Sequence, residues 1–518
     1  MLRTPLHTAL TLAFLLPGPA RAQGVTDSSR VTLAALYSSS YFREQWVPPV
    51  RWTPDGTGYY LLQRPEGGGT DIVRVDAATG DRRTVVAARQ LVPPGANEPL
   101  SVENFDFSDD GRRLLVFTNS RRVWRQNTRG DYWVLDIASG RLRKLGGSRA
   151  APSTLMFAKF SPQGDRVAYV REHNLYVERL ADGAITPLTR DGSTTIINGT
   201  FDWVYEEEFD DRDGFRWSPD GRRIAYWQLD ASGVRDFLLI NDTDSLYPFT
   251  IPVQYPQAGT TNSAVRVGVV NAAGGPTRWL QVPGDPRNIY VPRMEWAASP
   301  DEVVFQHFNR LQNTLTVYLA DARTGRSRPV LTERDSAWVD VVDDLEWLDR
   351  GARFTWVSER DGWRHVYSVS RDGRDVRLLT PGAFDVDHVA RIDVPGGWLY
   401  YVASPDNPTQ RYLFRTRLDG SGQAERLTPA DQPGYHTYSL APGGHLAVHG
   451  YSRFGSPPMS EMVRLPEHAS ARVLADNATL RHRVELLRHG PARFFRVDAD
   501  GVALDGHIMR PVDYDSTR

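Results

Sequence analysis

There is no cysteine in the 518 residues. That excludes disulfides, thiol nucleophiles and thiolate-bound metals. There is no surplus of basic charge either: 61 Lys and Arg stand against 63 Asp and Glu, a formal net charge of −2. Nothing is left over to neutralise a phosphate backbone, so nucleic acid is not expected as a partner. Past the first residues no run reaches the ~18 apolar residues that a membrane-spanning helix needs. No His-Glu-x-x-His zinc pair and no Gly-rich phosphate loop occurs, so no metal and no cofactor is expected. No serine has glycine at both −2 and +2, the pattern that sets a hydrolase nucleophile on its strand–turn–helix. The 12 histidines are scattered, and His365 and His388 read as strand residues.

What is present begins with a leader. Arg3 supplies the positive end, Leu6 to Leu16 is mostly apolar, and Pro17-Gly18-Pro19 breaks the run. Ala20-Arg21-Ala22 matches a small-x-small cleavage site. Residues 1–22 are therefore expected to be a signal peptide, and the protein exported, to a periplasm or the outside. The mature chain then has no membrane span. Hydrophobic residues at 40% and charged residues at 24% fit a soluble globular protein. Its length implies several domains or a repeat.

A repeat is visible. After a lead-in at 23–45, a turn signature recurs before an apolar strand: Trp52-Thr53-Pro54-Asp55-Gly56, Phe107-Ser108-Asp109-Asp110-Gly111, Phe160-Ser161-Pro162-Gln163-Gly164 and Trp217-Ser218-Pro219-Asp220-Gly221. Weaker copies follow at Trp296, Trp347, Val394 and Ala441, eight in all. Proline presets φ, aspartate bonds the local backbone and glycine accepts a positive φ. The strands that follow, Tyr59–Gln63 and Leu114–Thr118 among them, are rich in β-branched and aromatic residues. Four strands per unit at a period of roughly 45 to 60 residues predict an all-β, eight-bladed β-propeller of four-stranded antiparallel blades over 46–490. Residues 491–518 change character. Arg493–Val497 and Val502–Met509 read as the first strands of a new, truncated domain.

One stretch does not fit a plain blade: Phe201-Asp202-Trp203-Val204-Tyr205-Glu206-Glu207-Glu208-Phe209. Three adjacent carboxylates repel one another, by roughly 4 kcal/mol per pair about 4 Å apart at an effective dielectric near 20. A bound cation relieves that repulsion. Asp202 can cap a helix whose first turn carries the acids. Trp203, Tyr205 and Phe209 can anchor that turn. Residues 193–213 are thus expected to leave the blade face as an excursion that receives an amine. Tyr247 to Pro256 is expected to form a long hairpin in the same blade.

The Asp-Trp-Val-Tyr-Glu-Glu-Glu core resembles the amine-binding motif of the dipeptidyl peptidase IV family of prolyl oligopeptidase-type serine exopeptidases. Tyr255-Pro256-Gln257-Ala258-Gly259 with Asn262, the pair Trp124-Arg125, and the tail Asp505-Gly506…Arg510-Pro511…Asp513 resemble further stretches of it. The resemblance implies an eight-bladed propeller packed on an α/β-hydrolase domain that begins near 491. It implies an enzyme that releases Xaa-Pro or Xaa-Ala dipeptides from peptide N-termini. By position, Glu207 and Glu208 would hold the substrate ammonium and Arg125 a substrate carbonyl. Glu206, Tyr205 and Trp203 would support them. The implied partners are peptides with a free N-terminal amine, the protein's own hydrolase domain and a second copy, since family members often dimerise. The nucleophile is not in this chain, so no catalytic residue is assigned within it. The alternatives are a free-standing, non-catalytic propeller that binds peptides or proteins, and an acylaminoacyl or endopeptidase form of the same architecture, which would have no reason to keep the acid pair.

Overall fold

The computed structural model describes residues 29–38 and 40–517. The expected leader at 1–22 lies outside them. Among the described residues the α-helices are Leu33–Tyr37, Trp203–Phe209 and Ala478–Glu485, and most of the remaining regular structure is strand. None of the helices is long and apolar enough to cross a membrane.

The recurring turns fold as their composition dictates. Gly56, Gly111, Gly164 and Gly221 have φ of +67°, +66°, +67° and +64°, the region glycine enters without a Cβ penalty. Each glycine N–H bonds back to the carbonyl of Thr53, Ser108, Ser161 or Ser218, at 2.7–2.9 Å. The hydroxyls of those same residues accept the N–H of the residue that opens the next strand: Gly58 (3.1 Å), Arg113 (3.0 Å), Arg166 (3.2 Å) and Arg223 (2.9 Å). Each turn is stapled by backbone and side chain together. The flanking strands then pair antiparallel, Trp52 opposite Tyr59, Phe107 opposite Leu114, Phe160 opposite Val167 and Trp217 opposite Ile224.

Four sheets have four strands in sequential order, opening at Arg51, Trp347, Val386 and Tyr435. The others depart from the four-strand expectation. Strands Gln126–Asp136 and Leu155–Phe160 pair through Arg129–Met156 and Gly130–Leu155, which joins the second and third repeat units into one eight-stranded sheet. In the fourth unit Ile196–Asn198 and Phe215–Trp217 both pair with Arg223–Asp230, because residues 199–214 leave the sheet between them. The fifth unit is split likewise, with Ile289–Tyr290 and Met294–Trp296 both on Glu302–Asn309. The proline-rich stretch after 236 forms a separate two-stranded hairpin, Asp236–Asn241 with Phe249–Gln254, on which Leu238, Leu239 and Ile240 are exposed.

Successive repeat units share apolar clusters in sequence order. Ile72 and Val86 meet Phe105 and Leu114. Leu115 and Tyr132 meet Val167 and Tyr169. Val170 and Leu175 meet Phe215 and Tyr226. One large cluster runs from Ile197 to Leu418, and Val402 and Leu413 meet Ala447 and Val463. The last sheet also packs on the first: Met462, Leu446 and Val448 lie with Tyr59, Val73 and Val75. Trp52 Nε1 donates to Ser439 Oγ at 3.1 Å, and Arg472 Nη2 to Tyr59 Oη at 3.1 Å.

The described residues divide into two compact units, 48–450 with 461–473, and a terminal unit of 29–38, 40–47, 451–460 and 474–517. Residues 474–490, assigned to the repeat from the sequence, cluster with the terminal unit. In that unit Asn477 exchanges two hydrogen bonds with the backbone of Gln45, at 2.7 and 3.1 Å. Ala492–Ala499 pairs antiparallel with Val502–Met509 as one hairpin, the two strands that Arg493–Val497 and Val502–Met509 announce.

Candidate functional site

The acidic stretch is a two-turn helix, Trp203–Phe209, fixed at both ends. Asp202 caps its start, with Oδ1 accepting the Tyr205 N–H at 3.1 Å and Oδ2 accepting the Ser263 hydroxyl at 2.6 Å. Burial raises the Asp202 carboxyl above its ordinary pKa, and these hydrogen bonds oppose the rise. At the other end Asp210 turns left-handed, φ +57°, and its N–H returns to the Tyr205 carbonyl. Arg293 then clamps the exit: Nη2 donates to the Phe209 carbonyl at 3.0 Å and Nη1 to Asp211 Oδ1 at 2.8 Å.

Aromatic side chains hold the helix to a wall. Tyr205 is buried, stacks on Phe201 at 5.4 Å and accepts the Val291 N–H on its hydroxyl at 3.0 Å. Phe209 packs edge-on to Tyr290 at 5.1 Å. Trp203 meets Trp124 edge-on at 5.6 Å and Tyr255 at 5.8 Å. The second stretch singled out from the sequence thus reaches the site twice, since Asn262 donates to Tyr290 Oη at 2.8 Å.

Successive residues on an α-helix point about 100° apart, so three adjacent acids cannot share a direction. They take three partners. Glu206, nearly buried, pairs with Arg212 Nε at 3.4 Å, and burial raises its pKa while Arg212 opposes the rise. Glu207 Oε1 pairs with Arg125 Nη2 at 3.0 Å, both side chains substantially exposed. Glu208 Oε1 accepts Gln312 Nε2 at 2.9 Å. Arg125 reaches Glu207 from a distant hairpin. Val123 pairs with Gln126, so Trp124 and Arg125 are the two turn residues of the long ladder Arg113–Val123 and Gln126–Asp136. Trp124 takes φ +49° there, and the Arg125 guanidinium lies 5.6 Å from the Trp203 ring centre, a cation–π distance.

Of the six residues chosen from the sequence, Trp203, Tyr205, Glu206, Glu207 and Glu208 share the one helix, and Arg125 joins them through Glu207 and the Trp203 ring, while Tyr205 faces the wall. A cavity of about 500 Å³ adjoins them on the Glu206 side, lined by Trp124, Arg129, Phe157, Trp203, Glu206, Arg212 and the hairpin residues Pro252–Gln254. Gln312, Arg212 and Arg293 were not singled out. Gln312 lies 104 residues from Glu208 in the chain, and no local pattern marks it. Among the described residues no group of His, Asp and Glu is arranged to hold a metal ion. His365 is a strand residue whose Nδ1 lies 2.9 Å from Asp361, and His388 pairs with Asp387 at 2.9 Å.

Three comparisons bear on this arrangement. The family model described as "Dipeptidyl peptidase IV (DPP IV) N-terminal region" matches residues 108–458. The dipeptidyl-aminopeptidase B of Aspergillus niger is 26% identical over an alignment of 529 positions, which covers 92% of this chain and 57% of that protein. The crystal structure of Porphyromonas gingivalis dipeptidyl peptidase 4 superposes with a TM-score of 0.84 at 27% identity, covering 94% of this chain and 68% of that one. The chain thus spans less than two thirds of the length of the curated relative.

Proposed function

The chain belongs to the dipeptidyl peptidase IV family, in its N-terminal region, and from that premise we propose that it is the part of an exported serine exopeptidase that recognises a substrate's free N-terminus. The carrying observation is the capped, aromatic-anchored helix that presents Glu207 to Arg125 and Glu208 to the neutral Gln312. A peptide's terminal amine, pKa about 8, is largely cationic at neutral pH. In this reading Glu207 and Glu208 hold that ammonium and Arg125 a carbonyl of the same peptide. Carboxylates at a fixed distance from a nucleophile act as a ruler, so only a terminus two residues from the scissile bond is gripped. Binding energy gathered at the amine then positions the distant bond.

The nucleophile is assigned to an α/β-hydrolase domain that starts near 491, and the products to Xaa-Pro and Xaa-Ala dipeptides. Support comes from the 57% coverage of the curated relative. The repeat is read as eight propeller blades, supported by the unbroken run of shared clusters that returns from the last sheet to the first. Residues 1–22 are read as the export leader. A non-catalytic peptide-binding propeller is the second reading, favoured only by the absence of a nucleophile pattern in these residues.

The test uses the complete protein with Ala-Pro and Gly-Pro chromogenic substrates and their N-acetylated forms. Free-amine substrates are expected to turn over and acetylated ones not. Equal rates on both point to the acylaminoacyl alternative, and no turnover of either leaves the binding module.

A further inference from the structure

The three acids of the helix meet only two cations. Glu206 is matched by Arg212 and Glu207 by Arg125, whereas Glu208 is met by an amide. Among the described residues no lysine or arginine pairs with Glu208. The donor on Glu208 is held with unusual care for a residue between two strands. Gln312 lies in the connection between Glu302–Asn309 and Thr314–Asp321, and is only 8% exposed. Its backbone is left-handed, φ +54°, a strained conformation for a residue with a Cβ that persists only where the surroundings impose it. They do impose it. The Gln312 N–H donates to the Asn309 carbonyl at 3.0 Å, and its own carbonyl accepts the Val339 N–H at 2.9 Å. The Asn309 side chain closes the same turn on the N–H groups of Asn313 and Thr314, at 3.2 and 3.1 Å.

We propose that Gln312 is the positioning residue for Glu208, and that its neutrality is what leaves one carboxylate of the helix charged and unmatched for the ammonium of an incoming peptide. This rests on the reading of the site as an N-terminus receptor. A carboxylate has about four lone-pair sites. The amide occupies one, fixes the rotamer and leaves the net charge in place. A lysine in the same position would fix the rotamer equally well, but it would also neutralise the carboxylate and repel the ligand. Arg212 is shared between Glu206 and Asp210, so carboxylates outnumber cations around the helix, and Glu208 is where an ammonium meets that surplus.

The test is calorimetric titration of the purified 518-residue chain with Ala-Pro-Ala amide and with N-acetyl-Ala-Pro-Ala amide. Its readout is the ratio of the two affinities. A substitution that merely loosens the fold weakens both peptides alike and leaves the ratio unchanged. Gln312→Asn is the fold-safe variant: asparagine tolerates the left-handed backbone, yet it is one methylene short of Glu208. It is expected to lower the free-amine preference about tenfold, the scale of one hydrogen bond to a charged group. Gln312→Lys is expected to lower it by a further factor of about ten. If the wild-type chain prefers the free amine and both variants keep its ratio, the role of Gln312 is overturned and the receptor reading stands. If the wild-type chain shows no preference, the receptor reading fails and the role of Gln312 with it.

Discussion

At the scale of single residues, the site depends on where the acidic helix begins. Asp202 is 6% exposed and spends both carboxylate oxygens, one on the Tyr205 N–H and one on Ser263. Asp202→Ala removes the cap and leaves a buried N–H and a buried hydroxyl without that partner. The expected loss is about 2–3 kcal/mol, a cap of about 1 kcal/mol plus the cost of unsatisfied buried groups. Urea denaturation of the variant measures it, and a loss under about 0.5 kcal/mol would mean that the aromatic wall alone fixes the helix. Much of this was legible in the sequence. An aspartate before alternating aromatics and acids announces a capped, anchored turn. The partners were less so. Arg125 stood out through the tryptophan before it, but Gln312 is an ordinary loop glutamine until folding carries it to Glu208. The expectation that the first turn carries all three acids holds for Glu206 alone, and helical spacing splays the three in different directions.

At the scale of elements, the repeat was legible because its turns rest on local chemistry. Asp110 shows how local it is: the Ser108 hydroxyl and then the Arg112 N–H hold its carboxyl below the usual range. The departures were not legible because they are made by pairing at a distance. Nothing near Gly130 says that its strand will continue past its own unit to Leu155. Nothing near Phe215 says that its short strand shares a neighbour with Ile196–Asn198. The turn glycines also differ in ways that only the fold reveals. Gly56 and Gly111 have nearly equal φ, +67° and +66°. A Cβ on Gly111 meets nothing within 4 Å, whereas one on Gly56 would lie 2.3 Å from the Pro442 carbonyl oxygen. Gly111→Ala is therefore expected to cost only the backbone strain, about 1–3 kcal/mol. Gly56→Ala should cost more, because a backbone carbonyl of the last sheet has to move. Thermal melts of the two variants give the order, and equal losses would show that the last sheet yields freely.

At the scale of the whole molecule, the last sheet carries an acid-sensitive core. His436 and His449 are each 1% exposed and His468 is 8% exposed. His436 Nδ1 lies 2.8 Å from His449 Nε2, His449 Nδ1 lies 3.1 Å from Glu461, and His468 Nε2 lies 2.8 Å from Tyr438 Oη. Burial pushes both His436 and His468 down to about 4 from 6.5, and the neighbouring histidines add to the shift. The sign follows. Above pH 6.5 neither the folded nor the unfolded chain protonates these rings. Between pH 6.5 and about 4 the unfolded chain takes up protons that the folded one refuses, so stability falls with pH. The midpoint of denaturation is expected to drop across that window, and a His436→Gln, His468→Gln double variant should flatten the drop. An unchanged slope in the double variant would assign the acid sensitivity elsewhere.

Among the described residues the first and last sheets share no strand pairing; they meet through side chains and where the Gly56 turn lies against the Pro442 carbonyl. The opening sheet draws all four of its strands from residues 51–86, and the closing one all of its strands from 435–475. No strand is lent across the join, so no continuous backbone ladder crosses it. Between these neighbours the join is buttoned rather than woven: a few apolar contacts, an indole on a serine and a guanidinium on a phenol. Parting them breaks no strand pairing. What holds them is packing and two side-chain hydrogen bonds, each of which a point substitution can remove without touching either sheet's own ladder.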